Sequence, residues 1–150
     1  SDVFQPVAGF IARSLERWQL LRPEARFEYR EQGPKELQAR LQLTLEQTLI
    51  NVLNNAMDAS LAGDKHEPIA IHALWSDTRL QLRVTDSGPG MTSTDNQGES
   101  SGFGIGLLLS ETALAQLGGS LKLSAREDGP GTVATIELPL ESQVPEVLPT

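Results

Sequence analysis

Hydrophobic residues recur every three or four positions in three stretches of the chain, the spacing that buries one face of an α-helix. The first stretch spans residues 3–21, with Asp2 as a candidate N-cap and Pro23 ending the helix. The second is centred on residues 45–60 and consists of good helix formers. The third follows a glycine-rich segment and runs to about Leu117. The pattern therefore predicts three helices.

Apolar and polar residues alternate in five other stretches, as they do in strands with one buried face. These stretches are residues 25–31, 69–75, 79–85, 120–125 and 132–138. The second and third flank a short polar turn, and so do the fourth and fifth, which predicts two antiparallel hairpins. A short extended piece at 37–39 is expected to pair with the strand at 25–31.

Composition indicates a globular protein, since 39% of the 150 residues are hydrophobic and 21% are charged. We predict a single domain over residues 1–140 and a disordered tail at 141–150, where little can be buried. The net charge of −8 argues against nucleic acid as a partner. The absence of cysteine excludes disulfides, and no apolar run has transmembrane length, so we expect no direct membrane contact.

Three polar side chains lie on one stripe of the second helix, beside its apolar face. They belong to Asn51, Asn55 and Asp58. Asn and Asp are unfavourable within a helix because their side chains compete for backbone hydrogen bonds. The stripe therefore faces either solvent or a ligand, and its oxygen atoms suit a polar molecule or a hard metal ion.

Two glycine-containing loops follow strands. The motif Asp86-x-Gly88-x-Gly90 comes directly after the strand at 79–85 and either brings backbone close to a ligand or only forms a tight turn. In the second hairpin, Gly129-Pro-Gly131 has the same two interpretations.

The motif Gly102-x-Gly104-x-Gly106 opens the third helix. Free amide N–H groups at the positive end of a helix are suited to holding phosphate. The spacing differs from Gly-x-Gly-x-x-Gly, and the chain has no Gly-Lys pair for a Walker loop.

In this order and at this spacing, the striped helix and the three glycine motifs resemble the catalytic, ATP-binding domain of sensor histidine kinases. That domain is part of the superfamily that also contains gyrase, Hsp90 and MutL. The resemblance covers roughly residues 41–140, and residues 51–60 are also similar to redox-responsive kinases of the RegB/PrrB kind. It implies an α/β two-layer sandwich, the Bergerat fold, with helices on one face of a mixed, mostly antiparallel sheet.

The resemblance implies ATP and Mg²⁺ as ligands and gives roles to matching residues. Asn55 would coordinate Mg²⁺, and Asn51 would lie near the phosphates and the metal. Asp86 would accept a hydrogen bond from the adenine amino group, and Thr132 would support it. Asp58 replaces the Lys or His common in the family. The other implied nucleotide contacts are Ala59, Gly88, Gly90, Met91, Gly102, Phe103, Gly104, Ile105, Gly106 and Leu107.

The residue at position 51 favours a kinase over an ATPase. Hydrolysing members of the superfamily carry a glutamate there as general base, and an amide cannot take a proton from water near neutral pH. We therefore predict slow ATP hydrolysis and transfer of the γ-phosphoryl group to a histidine. Neither His66 nor His72 stands in the family's His-Glu or His-Asp motif. The expected partners are a histidine-containing dimerisation domain and a response regulator, and the resemblance implies a cytoplasmic portion of an inner-membrane kinase.

Three alternatives stay open at this point. A serine kinase of the anti-sigma-factor type has the same fold and motifs. A gyrase-like or MutL-like ATPase is disfavoured by Asn51. An interaction module that has lost nucleotide binding is supported by the short lid at 91–101, which lacks the Phe-rich segment usual in the family.

Overall fold

The structure is a computed structural model that describes residues 3–90 and 104–143. In chain order its elements are β1 (Val3–Pro6), α1 (Val7–Leu21), β2 (Phe27–Gln32), β3 (Gln38–Leu41), α2 (Leu43–Ala62), β4 (Ile69–Trp75), β5 (Arg79–Thr85), α3 (Gly104–Gln116), β6 (Ser120–Ala125), β7 (Thr132–Pro139) and β8 (Ser142–Gln143). Among the helices of this described part, none is both long and apolar enough to cross a bilayer.

The main sheet has five strands in the order β2-β4-β5-β7-β6. Strands β2 and β4 run parallel, and the other three neighbouring pairs are antiparallel. The two predicted hairpins are present as β4–β5 and β6–β7. The predicted fold class, a mixed and mostly antiparallel sheet combined with helices, is confirmed.

One face of this sheet is buried because apolar residues alternate in register across neighbouring strands. Ala73 pairs with Leu82, which pairs with Ile136, which pairs with Leu121, and all four are buried. Helix α2 packs against β4 and β5, and α3 packs against β6. Helix α1 packs against α2, where Trp18 is fully buried. This layer of helices places α2 between α1 and α3, each of which it contacts.

A second sheet has the order β1-β3-β8 and corrects two sequence predictions. The predicted helix at 3–21 begins only at Val7, with Pro6 rather than Asp2 at the N-cap position. The spacing of Val3 and Val7 fits a helix equally well. However, helical backbone is disfavoured for a residue that precedes a proline, here Pro6. The extended piece near residue 38 pairs with β1 and β8, not with β2.

Ordered pairing also extends past the predicted domain boundary at residue 140. The Arg40 N–H donates to the carbonyl oxygen of Glu141 at 2.9 Å, and Ser142 pairs with Ala39. The rest of the predicted tail, residues 144–150, lies outside the described residues. A single domain over residues 1–140 stays a prediction.

Candidate functional site

The polar stripe of α2 lies on the part of the helix that is not packed into the core. Asn51 and Asp58 are exposed and Asn55 is half-buried, whereas Leu49 and Leu53 on the opposite side are fully buried. The helix continues through the stripe because its apolar face packs on the sheet and offsets the poor helix propensity of Asn and Asp. The three side chains therefore stand on one accessible surface, as the sequence predicted.

Asn51 faces α3. Its Nδ2 lies 3.4 Å from Oγ of Ser110, and that hydroxyl donates to the carbonyl oxygen of Gly106 at 3.0 Å. Ser110 is buried, so this contact is an internal link between the stripe and the first turns of α3. The sequence gives no periodic signal for such a link, and Ser110 was not among the predicted site residues.

The other end of the stripe faces α1. Asp58 forms an ion pair with Arg22 at 3.1 Å, and Arg22 also binds Glu24 at 3.0 Å. The neighbouring Asn54 accepts a hydrogen bond from Nε1 of Trp18 at 3.0 Å. Asp58, predicted as a nucleotide contact, is thus engaged with the arginine that directly follows α1, and Asn54 joins the two helices.

Asp86 lies at the end of β5, and only 5% of its surface is exposed. Its Oδ1 accepts two backbone hydrogen bonds, from Gly88 N at 2.9 Å and Thr132 N at 3.2 Å. The N–H of Asp86 donates in turn to the carbonyl oxygen of Thr132 at 3.0 Å. The predicted proximity of Thr132 to Asp86 is therefore observed, through the backbone of Thr132. Among the described residues, no group donates to Oδ2, which leaves that oxygen available to a ligand.

Opposing effects act on the charge of the Asp86 carboxyl. Burial raises the pKa of Asp86 above its ordinary value, because a buried carboxylate loses hydration. The two backbone hydrogen bonds and the positive charge of Arg126 lower that pKa and partly offset the effect of burial. The carboxylate is thus a desolvated acceptor supported by oriented N–H groups, the kind of group that binds a donor strongly.

Close backbone packing around Asp86 requires glycine at two positions. A Cβ at Gly88 would lie 2.6 Å from the carbonyl oxygen of Ala59 in α2, so the loop after β5 touches the end of the helix. A Cβ at Gly131 would lie 2.0 Å from the carbonyl oxygen of Asp86, and the φ of +141° at Gly131 also disfavours other residues. Gly90, with φ +86°, lies against Gly131.

Two serines that sequence reasoning missed hold the loop after β5 in place by hydrogen bonds. The Ser87 N–H donates to Oγ of Ser60 at 3.1 Å, and Oγ of Ser87 accepts from the Glu67 N–H at 3.0 Å. Ser60 and Ser87 are both buried. The segment after β5 is therefore attached to α2 and to the loop before β4.

Arg126, at the start of the β6–β7 connection, was also missed. Its guanidinium donates to Glu67 at 2.8 Å and to Asp128 at 2.8 Å, and lies 3.5 Å from the carbonyl oxygen of Asp86. These partners come from three separate segments, and contacts of this kind leave no pattern in a sequence.

The predicted phosphate loop is described only in part. Gly104, Ile105 and Gly106 lie in the first turn of α3, where N–H groups have no partner within the helix. Leu107 is buried, and a Cβ at Gly106 would meet no atom within 4 Å. The predicted contacts Met91, Gly102 and Phe103, like the lid at 91–101, lie outside the described residues.

The described residues do not by themselves provide a complete set of metal ligands at this site. Within residues 3–90 and 104–143, no three His, Cys, Asp or Glu side chains are grouped so that they could hold a metal. The stripe offers amide oxygens instead, which suit Mg²⁺ when phosphate and water complete its octahedral shell.

Comparisons with known proteins agree on one family. A family model described as histidine kinase-, DNA gyrase B- and HSP90-like ATPase matches residues 41–142. The C4-dicarboxylate transport sensor protein DctB of Rhizobium meliloti (strain 1021) is 31% identical over 106 residues, which cover 64% of this chain and 16% of DctB. This chain thus corresponds to a small part of that curated relative.

Solved structures show the same fold. The mycobacterial sensor histidine kinase MprB superposes with a TM-score of 0.71 at 24% identity, covering 95% of this chain and all of that one. The Acinetobacter baumannii histidine kinase AdeS superposes with a TM-score of 0.69 at 18% identity, covering 94% of this chain and 68% of that one. The family predicted from the motifs is confirmed, while the narrower resemblance to RegB/PrrB kinases stays a prediction.

Proposed function

The chain belongs to the histidine kinase-, DNA gyrase B- and HSP90-like ATPase family, and we propose that it positions Mg-ATP for transfer of the γ-phosphoryl group to a histidine. That histidine belongs to a separate dimerisation domain. The intact protein would be a two-component sensor kinase that phosphorylates a response regulator. This domain would form part of the cytoplasmic portion of such a kinase, which is anchored in the inner membrane.

The observation that carries this proposal is the carboxylate of Asp86. It is buried at the end of β5, its Oδ1 is held by two backbone N–H groups, and within the described residues Oδ2 accepts no hydrogen bond. A buried carboxylate oxygen that accepts no hydrogen bond is costly unless a donor binds there. The exocyclic amino group of adenine is such a donor. We call Asp86, Gly88 and Thr132 the adenine end of the site.

The phosphate end consists of Asn51, Asn55 and the first turn of α3. Asn51 faces that turn through Ser110, so the two parts lie side by side. The free N–H groups of the turn and the amide oxygen of Asn55 are complementary to a triphosphate with its cation. In this acidic chain, oriented amides and a metal would replace a basic surface.

The residues fit Mg²⁺ held mainly by the nucleotide. Asn55 would be its protein ligand, with Asn51 next to it, and the bound ion would neutralise charge on the phosphates. The protein's part in such a reaction is to position and orient the reacting groups. Because Asn51 carries an amide, it cannot activate water, so we expect transfer to histidine to exceed hydrolysis.

A serine kinase of the anti-sigma-factor type is not favoured, because the relatives described above are sensor proteins and histidine kinases. A direct test incubates the chain and radiolabelled ATP with either a histidine-bearing dimerisation domain or an anti-anti-sigma protein. We expect label on the first, in an acid-labile and base-stable linkage. Label only on serine, or rapid ATP turnover by the chain alone, would contradict the proposal.

A further inference from the structure

Arg126 lies next to Asp86, where the β6–β7 connection, the loop before β4 and the segment after β5 meet. Its backbone N–H donates to the carbonyl oxygen of Gly131 at 3.1 Å, and its side chain reaches Glu67 in the loop before β4. Only 19% of the Arg126 side chain is exposed. Its ion-pair partners are more accessible, with 49% of the Glu67 side chain and 81% of the Asp128 side chain exposed. The arginine itself is therefore packed against the adenine end.

The partners of Arg126 lead back to Asp86 by a second route. The backbone N–H of Glu67 donates to Oγ of Ser87, and the N–H of Ser87 donates to Oγ of Ser60 in α2. Arg126, Glu67 and Ser87 thus form a closed chain of contacts around the loop that begins at Asp86. A single guanidinium can bridge several acceptors in this way because its donors form a rigid, planar fork.

We propose that Arg126 is a positioning residue for the adenine end: it links the β6–β7 connection to Glu67 and to the Asp86 backbone, and so fixes where the Asp86 carboxylate stands. This inference rests on the proposed function in assigning adenine to Asp86. Arg126 makes no contact with the base in this account and acts only through Asp86.

The charge of Arg126 gives the proposal a second consequence. Among the described residues, the charged groups near Asp86 are Arg126 on the β6–β7 connection, with Asp128 beside it, and Glu67 on the loop before β4. The residues of α2 and β7 that pack there, Ser60 and Thr132, are uncharged. Because Arg126 is the positive charge of this group, its removal favours protonation of Asp86 at a higher pH.

The test follows the side-chain ¹³C carboxyl signal of Asp86 through a pH titration by NMR, in wild type, Arg126→Gln and Arg126→Lys. We expect Arg126→Gln to raise the pH midpoint, because the positive charge that lowers the pKa of Asp86 is removed. Arg126→Lys keeps the charge and should leave the midpoint near that of wild type. Arg83→Gln, on the exposed face of β5 and outside every described ion pair, is the matched control and should change nothing.

Binding measurements complete the test. We expect Arg126→Gln to weaken ATP, ADP and AMP by the same factor, about three- to tenfold, since only the base end is disturbed. Arg126→Lys should recover part of that loss. The contrary result is that Arg126→Gln lowers only the stability of the protein and leaves the Asp86 midpoint and the nucleotide affinities as in wild type. In that case Arg126 only stabilises the β6–β7 hairpin, and the inference is wrong.

The two proposals fail in distinguishable ways. If wild type binds no adenine nucleotide, the proposed function fails, yet the Asp86 midpoint still decides whether Arg126 controls that carboxylate. If wild type binds ATP and the midpoint is unmoved in Arg126→Gln, only the inference about Arg126 is overturned.

Discussion

The adenine end of the site is a buried carboxylate held by backbone groups, whereas the phosphate end combines accessible side chains with the first turn of α3. At the adenine end, Asp86 is held by the N–H groups of Gly88 and Thr132, and two glycines allow backbone segments to touch. At the phosphate end, Asn51 is exposed, Asn55 is half-buried, and a Cβ at Gly106 would meet no described atom of another segment within 4 Å. The first end is formed by the fold itself, and the second would be completed by nucleotide and metal.

This difference shows that glycine has a different role at each end of the site. Gly131 is required by the fold, because any Cβ there would collide with the Asp86 backbone. Gly106 meets no such constraint within the described residues, so a requirement for glycine there would come from the ligand. Glycine substitutions at the adenine end should therefore lower stability and binding together, and those at the phosphate end should weaken binding without lowering stability.

The largest effect is expected for Gly131→Ala. Its Cβ would approach the carbonyl oxygen of Asp86 to 2.0 Å, so the free energy of unfolding should fall by about 2–4 kcal/mol. Urea denaturation measures this. Gly129→Ala is the matched control, because Gly129 also has a positive φ of +129° while its Cβ would meet no atom of the described residues within 4 Å. Equal losses in the two variants would show that backbone strain, not the contact with Asp86, sets the cost.

Asp86→Asn should weaken ATP binding by about 10- to 100-fold, because an amide replaces a charged acceptor. The loss should be similar for ATP and ADP, since both contain the same base. Calorimetric titration measures it, with Asp77→Asn in the exposed β4–β5 turn as the control that should bind normally. A wild-type protein that binds GTP as tightly as ATP would remove the adenine assignment of Asp86.

Asn55→Ala should weaken Mg-ATP binding about tenfold through loss of a metal ligand, and should have little effect when EDTA is present. Its neighbour Asn54 provides the control. Asn54→Ala loses the hydrogen bond from Trp18 and should cost about 1 kcal/mol of stability without changing the response to Mg²⁺. Unaltered Mg-ATP affinity in Asn55→Ala would refute its role at the phosphate end.

The smallest effect on the fold is expected for Gly106→Ala. Alanine favours helix over glycine, so this variant should gain about 0.5–1 kcal/mol of stability in α3. Its binding of Mg-ATP should nevertheless be weaker, because the added methyl group lies on the turn proposed to hold phosphate. Thermal unfolding with and without Mg-ATP reports both effects. If Mg-ATP raises the Tm of the variant as much as that of wild type, the proposed difference between the two ends is wrong.

The sequence predicted the regular elements well where a single periodic pattern was present. The predicted strands at 69–75 and 79–85 coincide with β4 and β5, because alternation and a polar turn both point to a hairpin. The predictions failed where short apolar spacing fits two structures. Val3 and Val7 suit a helix, yet the backbone at Pro6 is extended and the first residues pair with β3.

The site was predictable to the extent that its residues lie in local motifs. The stripe on α2 and the proximity of Thr132 to Asp86 followed from helical geometry and from the family resemblance. The contacts of Ser110 with Asn51, and of Arg126 with Glu67, join residues that are 59 positions apart. Such contacts depend on tertiary packing, which no local spacing encodes.

The central claim is that this fold binds adenine nucleotide through a preformed base end and a metal-completed phosphate end. Isothermal titration of the wild-type chain with ATP, in the presence and absence of Mg²⁺, tests it most directly. We predict saturable binding at one site that becomes clearly tighter when Mg²⁺ is present. A folded protein that does not bind ATP under either condition would contradict the account.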